Sequence, residues 1–83
     1  MAVRFDSAEE RTDSECGNII AELPGTAPGL TLVLSGHMDT VEPGRGIVPV
    51  VADGVVRSSG DTVLGADDKA GLAAILETVR RVT

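Results

Sequence analysis

The chain has 83 residues, a formal net charge of −6, one cysteine and a single aromatic residue, Phe5. A chain of this length makes at most one small domain, burying roughly 60% of the surface its unfolded form exposes, with a core that must come from Val, Leu, Ile and Ala. The charge argues against a nucleic-acid partner, whose phosphates are held by Lys and Arg, and no apolar run nears the roughly 20 residues that cross a bilayer.

The lone Cys16 has no partner for an internal disulfide. With no recognisable signal peptide, that suits a reducing, cytoplasmic setting. Cys16 reads as a small, half-buried strand residue.

Residues 2–6 alternate apolar and polar side chains, as an edge strand does. Residues 7–15 follow, with the carboxylates Glu9, Glu10, Asp13 and Glu15; this charge run reads as a solvated loop. Residues 19–23 form a second expected strand, and Pro24-Gly25 with Pro28-Gly29 bracket a turn. Residues 30–36, Leu-Thr-Leu-Val-Leu-Ser-Gly, make the strongest expected strand, apolar enough to be covered on both faces. Residues 47–51 and 55–58 flank Asp53-Gly54, a β-hairpin signal.

From Asp67 to Thr83 the spacing predicts a helix. Leu72, Ile75, Leu76, Val79 and Val82 recur at intervals of three and four, the stripe of an amphipathic helix. Arg80 and Arg81 fall in its last turn, where cations suit the helix dipole. The expected class is α/β: a mixed sheet with a β-hairpin and one C-terminal helix. One helix cannot cover both faces of such a sheet, so the fold is expected to be incomplete when it stands alone.

Two polar clusters end strand-like runs. His37 and Asp39 lie two apart, so on an extended backbone they point to the same side. An imidazole can bind a metal through one ring nitrogen while a carboxylate accepts from the other, which fixes the tautomer. Asp67 and Asp68 stand where a strand-like run enters the helix. Such a pair can cap the helix, or it can line the sheet edge where open α/β folds bind ligands. A lone histidine is likewise often structural. Read jointly, His37 and Asp67 could converge on one metal site.

The run Ser35-Gly36-His37-Met38-Asp39-Thr40-Val41, with Pro43-Gly44, Pro49 and Asp53-Gly54, is followed by Gly60-Asp61-Thr62-Val63-Leu64-Gly65-Ala66-Asp67-Asp68-Lys69-Ala70-Gly71. Together these resemble the co-catalytic dinuclear zinc exopeptidase family. That family includes peptidase T (tripeptide aminopeptidase), glutamate carboxypeptidase, acetylornithine deacetylase and succinyl-diaminopimelate desuccinylase. The wording Leu-Gly-Ala-Asp-Asp-Lys-Ala-Gly is most similar to the peptidase T-like branch. The resemblance covers about residues 16 to 80.

The resemblance implies a metal-dependent hydrolase of short peptides with two zinc ions, Co²⁺ or Mn²⁺ being alternatives. It makes His37 a ligand of one zinc, Asp39 the catalytic-site aspartate that orients His37, and Asp67 the carboxylate bridging both ions. It implies a cis Asp67–Asp68 peptide. It also implies that residues 1–83 are a piece of one catalytic domain, without the dimerisation domain and the C-terminal half. The family's adjacent Glu-Glu pair, which supplies the general base and a further ligand, has no counterpart here. Glu77 lies mid-helix and does not replace it. The chain alone is therefore expected to be inactive. The alternative is a non-catalytic truncated product or a strand-edge association module, which could form a homo-oligomer, with no nucleic acid and no membrane as partner.

Overall fold

The computed structural model describes all residues, Met1–Thr83. The chain forms two compact units, Met1–Thr31 and Leu32–Thr83.

In the first unit, β1 (Ala2–Phe5) pairs antiparallel with β2 (Ile19–Glu22), Ala2 facing Glu22 and Phe5 facing Ile19. Asp6 closes the open end of this pair. Its carboxylate accepts from the Asn18 backbone N–H at 2.7 Å, the Asn18 side-chain amide at 3.0 Å and the Ala8 N–H at 3.1 Å. These donors hold Asp6 below the usual carboxylate range, the Asn18 side chain most strongly, then the Asn18 and Ala8 backbone groups. Charged acceptors form the stronger hydrogen bonds, so a short polar side chain can join residues twelve positions apart in the chain.

The acidic run is more ordered than its composition suggests. Ala8–Arg11 form one 3-10 turn, started by the Asp6 carboxylate on the Ala8 N–H. Cys16 departs from expectation: it is exposed and lies outside any strand, in the connection between that turn and β2.

In the second unit, β3 (Pro49–Ala52) and β4 (Val55–Ser58) form the hairpin that Asp53-Gly54 signals. Both turn residues have positive φ, 52° at Asp53 and 74° at Gly54. That is the type I′ geometry whose twist matches the strands it joins. The helix, α1 (Ala66–Val82), spans the expected stripe. Leu72, Ile75 and Val79 are half-buried, whereas Leu76 and Val82 face solvent.

The fold is thus an α/β arrangement of two antiparallel strand pairs and one C-terminal helix, as befits part of a larger domain. Two features differ from the sequence reading. The sheets are two-stranded and purely antiparallel, not mixed. Residues 30–36 are not a strand. Leu30 is fully exposed, and Leu32 and Val33 are 79% and 78% exposed. The physical reason is that strand character resides in a ladder of hydrogen bonds to a neighbour. Apolar composition fits a residue to a covered strand but supplies no partner. Within the second unit α1 makes no contact with the β3–β4 hairpin, and no side chain is fully buried.

Candidate metal centre

The centre lies within the second unit, between the segment 36–41 and the entry to α1. Two local features bring these together. The Val63 N–H donates to the Pro43 carbonyl at 2.9 Å, which ties the run before the helix to the loop after His37. Gly65, at φ 82°, then turns the chain into α1. Asp67 and Asp68 keep non-helical backbone angles, with ψ of 103° and 30°, so the regular helix begins beyond them. The peptide between them is cis.

His37 is the hub. Its Nε2 lies 3.1 Å from Asp67 Oδ1, and its Nδ1 lies 3.2 Å from Asp39 Oδ1 and 3.1 Å from the Asp39 backbone oxygen. The three residues named from the sequence, His37, Asp39 and Asp67, are therefore in one contact chain. The i, i+2 spacing places Asp39 on the side of the ring opposite Asp67. The ring's hydrogen-bond partners are Asp39 and Asp67, and Asp68 is not among them. Asp67 meets His37 with its carboxylate rather than acting only as a helix cap.

Both ring nitrogens face oxygen acceptors, a setting that favours the imidazolium. The His37 pKa is accordingly raised, first by the Asp39 backbone carbonyl and then by the Asp67 carboxylate. The side chains of His37, Asp39 and Asp67 are 52%, 89% and 94% exposed. The donors are open to a dissolved ion, and water screens their mutual attraction.

The donor set suits a divalent metal. Imidazole nitrogen and carboxylate oxygen are both zinc ligands, and two such donors on one tetrahedral zinc stand about 3.4 Å apart. The 3.1 Å between His37 Nε2 and Asp67 Oδ1 is close to that span. With Nδ1–H donating to Asp39, the neutral ring would present the Nε2 lone pair on the Asp67 side. No third His, Cys, Asp or Glu joins the pair, which leaves fewer protein donors than the three of a catalytic zinc site. They border an open depression of about 340 Å³, walled on its apolar side by Val41, Val63 and Leu64.

One neighbour carries no signal in the sequence. Lys69 Nζ donates to the Met38 carbonyl, between His37 and Asp39. A lysine after two aspartates reads simply as charge balance, and a side chain's bond to a backbone oxygen leaves no residue pattern at the acceptor.

The sequence profile of peptidase family M28 matches residues 18–83. The chain belongs to peptidase family M28. It is 47% identical over 78 residues to the uncharacterized protein YqjE of Bacillus subtilis (strain 168), an alignment covering 94% of this chain and 21% of that protein. The chain thus spans about a fifth of the length of the curated relative it matches. No solved structure matches it. His37, Asp39 and Asp67 all fall within the range that matches family M28, which makes this a metallopeptidase, hydrolase lineage. The 3-10 turn and β1 lie before that range.

Proposed function

We propose that the chain supplies half of a dinuclear zinc centre in a peptidase T-like aminopeptidase that hydrolyses short peptides. His37 would ligate one ion, Asp67 would bridge the two, and Asp39 would orient His37. The observation that carries this reading is the approach of His37 Nε2 to Asp67 Oδ1 across thirty residues. The narrower peptidase T-like assignment rests on the wording of residues 64–71. Co²⁺ and Mn²⁺ remain alternatives for the same donors.

Bound zinc polarises a peptide carbonyl and lowers the pKa of water. The chain's own residues prepare for this. Asp39 accepts the Nδ1 proton and so keeps it off Nε2 in the neutral ring. Asp67 offers two carboxylate oxygens, of which Oδ1 meets His37. Val41, Val63 and Leu64 give the depression an apolar wall against which a small substrate side chain could rest.

Taking a proton from water and returning it to the leaving amine needs an acid–base group that these residues do not provide. Glu77 is held by Arg80 at 2.7 Å and by Arg81 at 2.7 Å. Those pairings, Arg80 first, lower its pKa and make it a poorer base. The 83-residue chain alone is therefore read as inactive.

The test is a chimera in which this chain replaces the matching fifth of the Bacillus subtilis protein, assayed beside that protein unaltered. Zinc-dependent release of the N-terminal residue from tripeptides, lost in His37→Ala and Asp67→Ala, is the expected result. A chimera as active with either substitution as without it would contradict the assignment.

A second reading has its own observation. The exposed, unpaired apolar run at Leu30, Leu32 and Val33 is a template for strand addition between copies. Light scattering at high concentration tests it: oligomers support an association module, and a clean monomer contradicts it.

A further inference from the structure

Three consecutive residues entering α1 meet three consecutive residues of the segment that carries His37. Asp67 meets His37 at 3.1 Å. Asp68 lies against Gly36, so closely that a Cβ on that glycine would stand 2.7 Å from Asp68 Oδ2 and 3.1 Å from Leu72 Cδ2. Lys69 Nζ donates to the Met38 carbonyl. His37 is thus bracketed by a steric contact on one side and a charged hydrogen bond on the other.

This bracketing matters because the segment has little else to hold it. Residues 32–39 belong to no strand, so no ladder fixes their backbone. The hydrogen bonds that tie them to the helix are those of His37 and Met38. If His37 binds a metal, its contact with Asp67 becomes joint ligation and no longer restrains the segment independently. The Lys69 bond is then the remaining hydrogen bond that sets where the ring sits.

We propose that Lys69 is a positioning residue of the metal centre: its ammonium, bonded to the Met38 carbonyl, holds the backbone between His37 and Asp39 against the helix entry and thereby sets the spacing of His37 Nε2 and Asp67 Oδ1. The proposal rests on the metal-site reading above. Lys69 itself has no role as ligand, base or substrate contact. A charge-assisted hydrogen bond is among the stronger polar contacts, and one made to a backbone oxygen acts on chain position whatever side chain stands at residue 38.

The experiment is calorimetric Zn²⁺ titration of the chain and its variants, with the visible spectrum of the Co²⁺ form as a second readout and far-UV circular dichroism as the folding control. Lys69→Met is expected to weaken zinc binding by about ten-fold, the lower end of what outer-shell partners contribute, and to alter the Co²⁺ spectrum. Lys69→Arg, which keeps N–H donors on a long side chain, is expected to restore the affinity to within about three-fold and to recover the spectrum. A purely structural lysine would change the helical signal and leave the spectrum of the folded fraction unmoved, which would overturn the proposal. If Lys69→Met loses its helix, Lys69→Gln is read in its place: glutamine forms helix well but its amide falls one atom short of the carbonyl. Wild-type affinity in the folded variant would overturn the proposal. His37→Ala and Asp67→Ala separate the two levels. If both bind zinc as the unaltered chain does, the metal-site reading fails. If both lose binding while Lys69→Met keeps it, the Lys69 assignment alone fails.

Discussion

His37 Nε2 stands 3.1 Å from Asp67 Oδ1, thirty positions further along the chain, while the other ring nitrogen faces Asp39 Oδ1 at 3.2 Å. An imidazole between two carboxylates is a proton trap when no metal is present and a metal ligand when its Nε2 proton leaves. The same contacts therefore govern both titration and binding.

The first expected outcome concerns that proton. His37 is raised above its ordinary value of 6.5 by the Asp39 carbonyl and the Asp67 carboxylate. A raised folded-state pKa means that the stabilisation from these contacts is fully present below about 6.5 and fades as pH rises through the raised value. As the chain has one histidine, its ring proton signal can be followed by NMR without ambiguity. A midpoint above 6.5 that moves back towards 6.5 in Asp67→Asn is expected; a midpoint at or below 6.5 in the unaltered chain would contradict the geometry. Because binding displaces the Nε2 proton, zinc affinity should climb with pH until His37 is neutral.

Asp39 acts on the ring through two oxygens, its side chain and its backbone. Asp39→Ala removes only the first. Zinc affinity is therefore expected to fall by about ten-fold, at the lower end of the 10–100-fold range for outer-shell partners. Calorimetry checks this; a loss as large as that of His37→Ala would show that Asp39 is itself a ligand.

Much of this arrangement is legible in the residues. The α1 stripe and the Asp53-Gly54 hairpin announce themselves because periodicity and turn chemistry are local properties. His37 and Asp39 can be paired from their spacing, and the peptidase motifs direct attention to Asp67. The strand expected at residues 30–36 is a different case, since pairing depends on a neighbour that composition does not specify. The 3-10 turn at Ala8–Arg11 was hidden for a related reason: Asp6 organises it through a backbone N–H, and acidic composition alone suggests only solvation. The Lys69 contact with Met38 is of the same kind.

Asp6 offers an independent check in the first unit. Its pKa is lowered from 3.8, chiefly by the Asn18 side chain and then by the Asn18 and Ala8 backbone N–H groups. A lowered value places its stabilising effect above about pH 3.8, to be lost as pH falls through the lower folded-state value. Asn18→Ala is expected to raise the Asp6 midpoint towards 3.8 and to speed amide exchange at Ala8. No change in either quantity would contradict the closure of the β1–β2 pair by Asp6.

The most direct test of the half-site is a calorimetric Zn²⁺ titration of the chain beside His37→Ala and Asp67→Ala. The expected result is saturable binding that each substitution weakens by about 100-fold or more, beyond the roughly ten-fold expected of Asp39→Ala, since a ligand matters more than its outer-shell partners. Binding that persists unchanged in both variants would contradict the convergence of His37 and Asp67 on one metal ion.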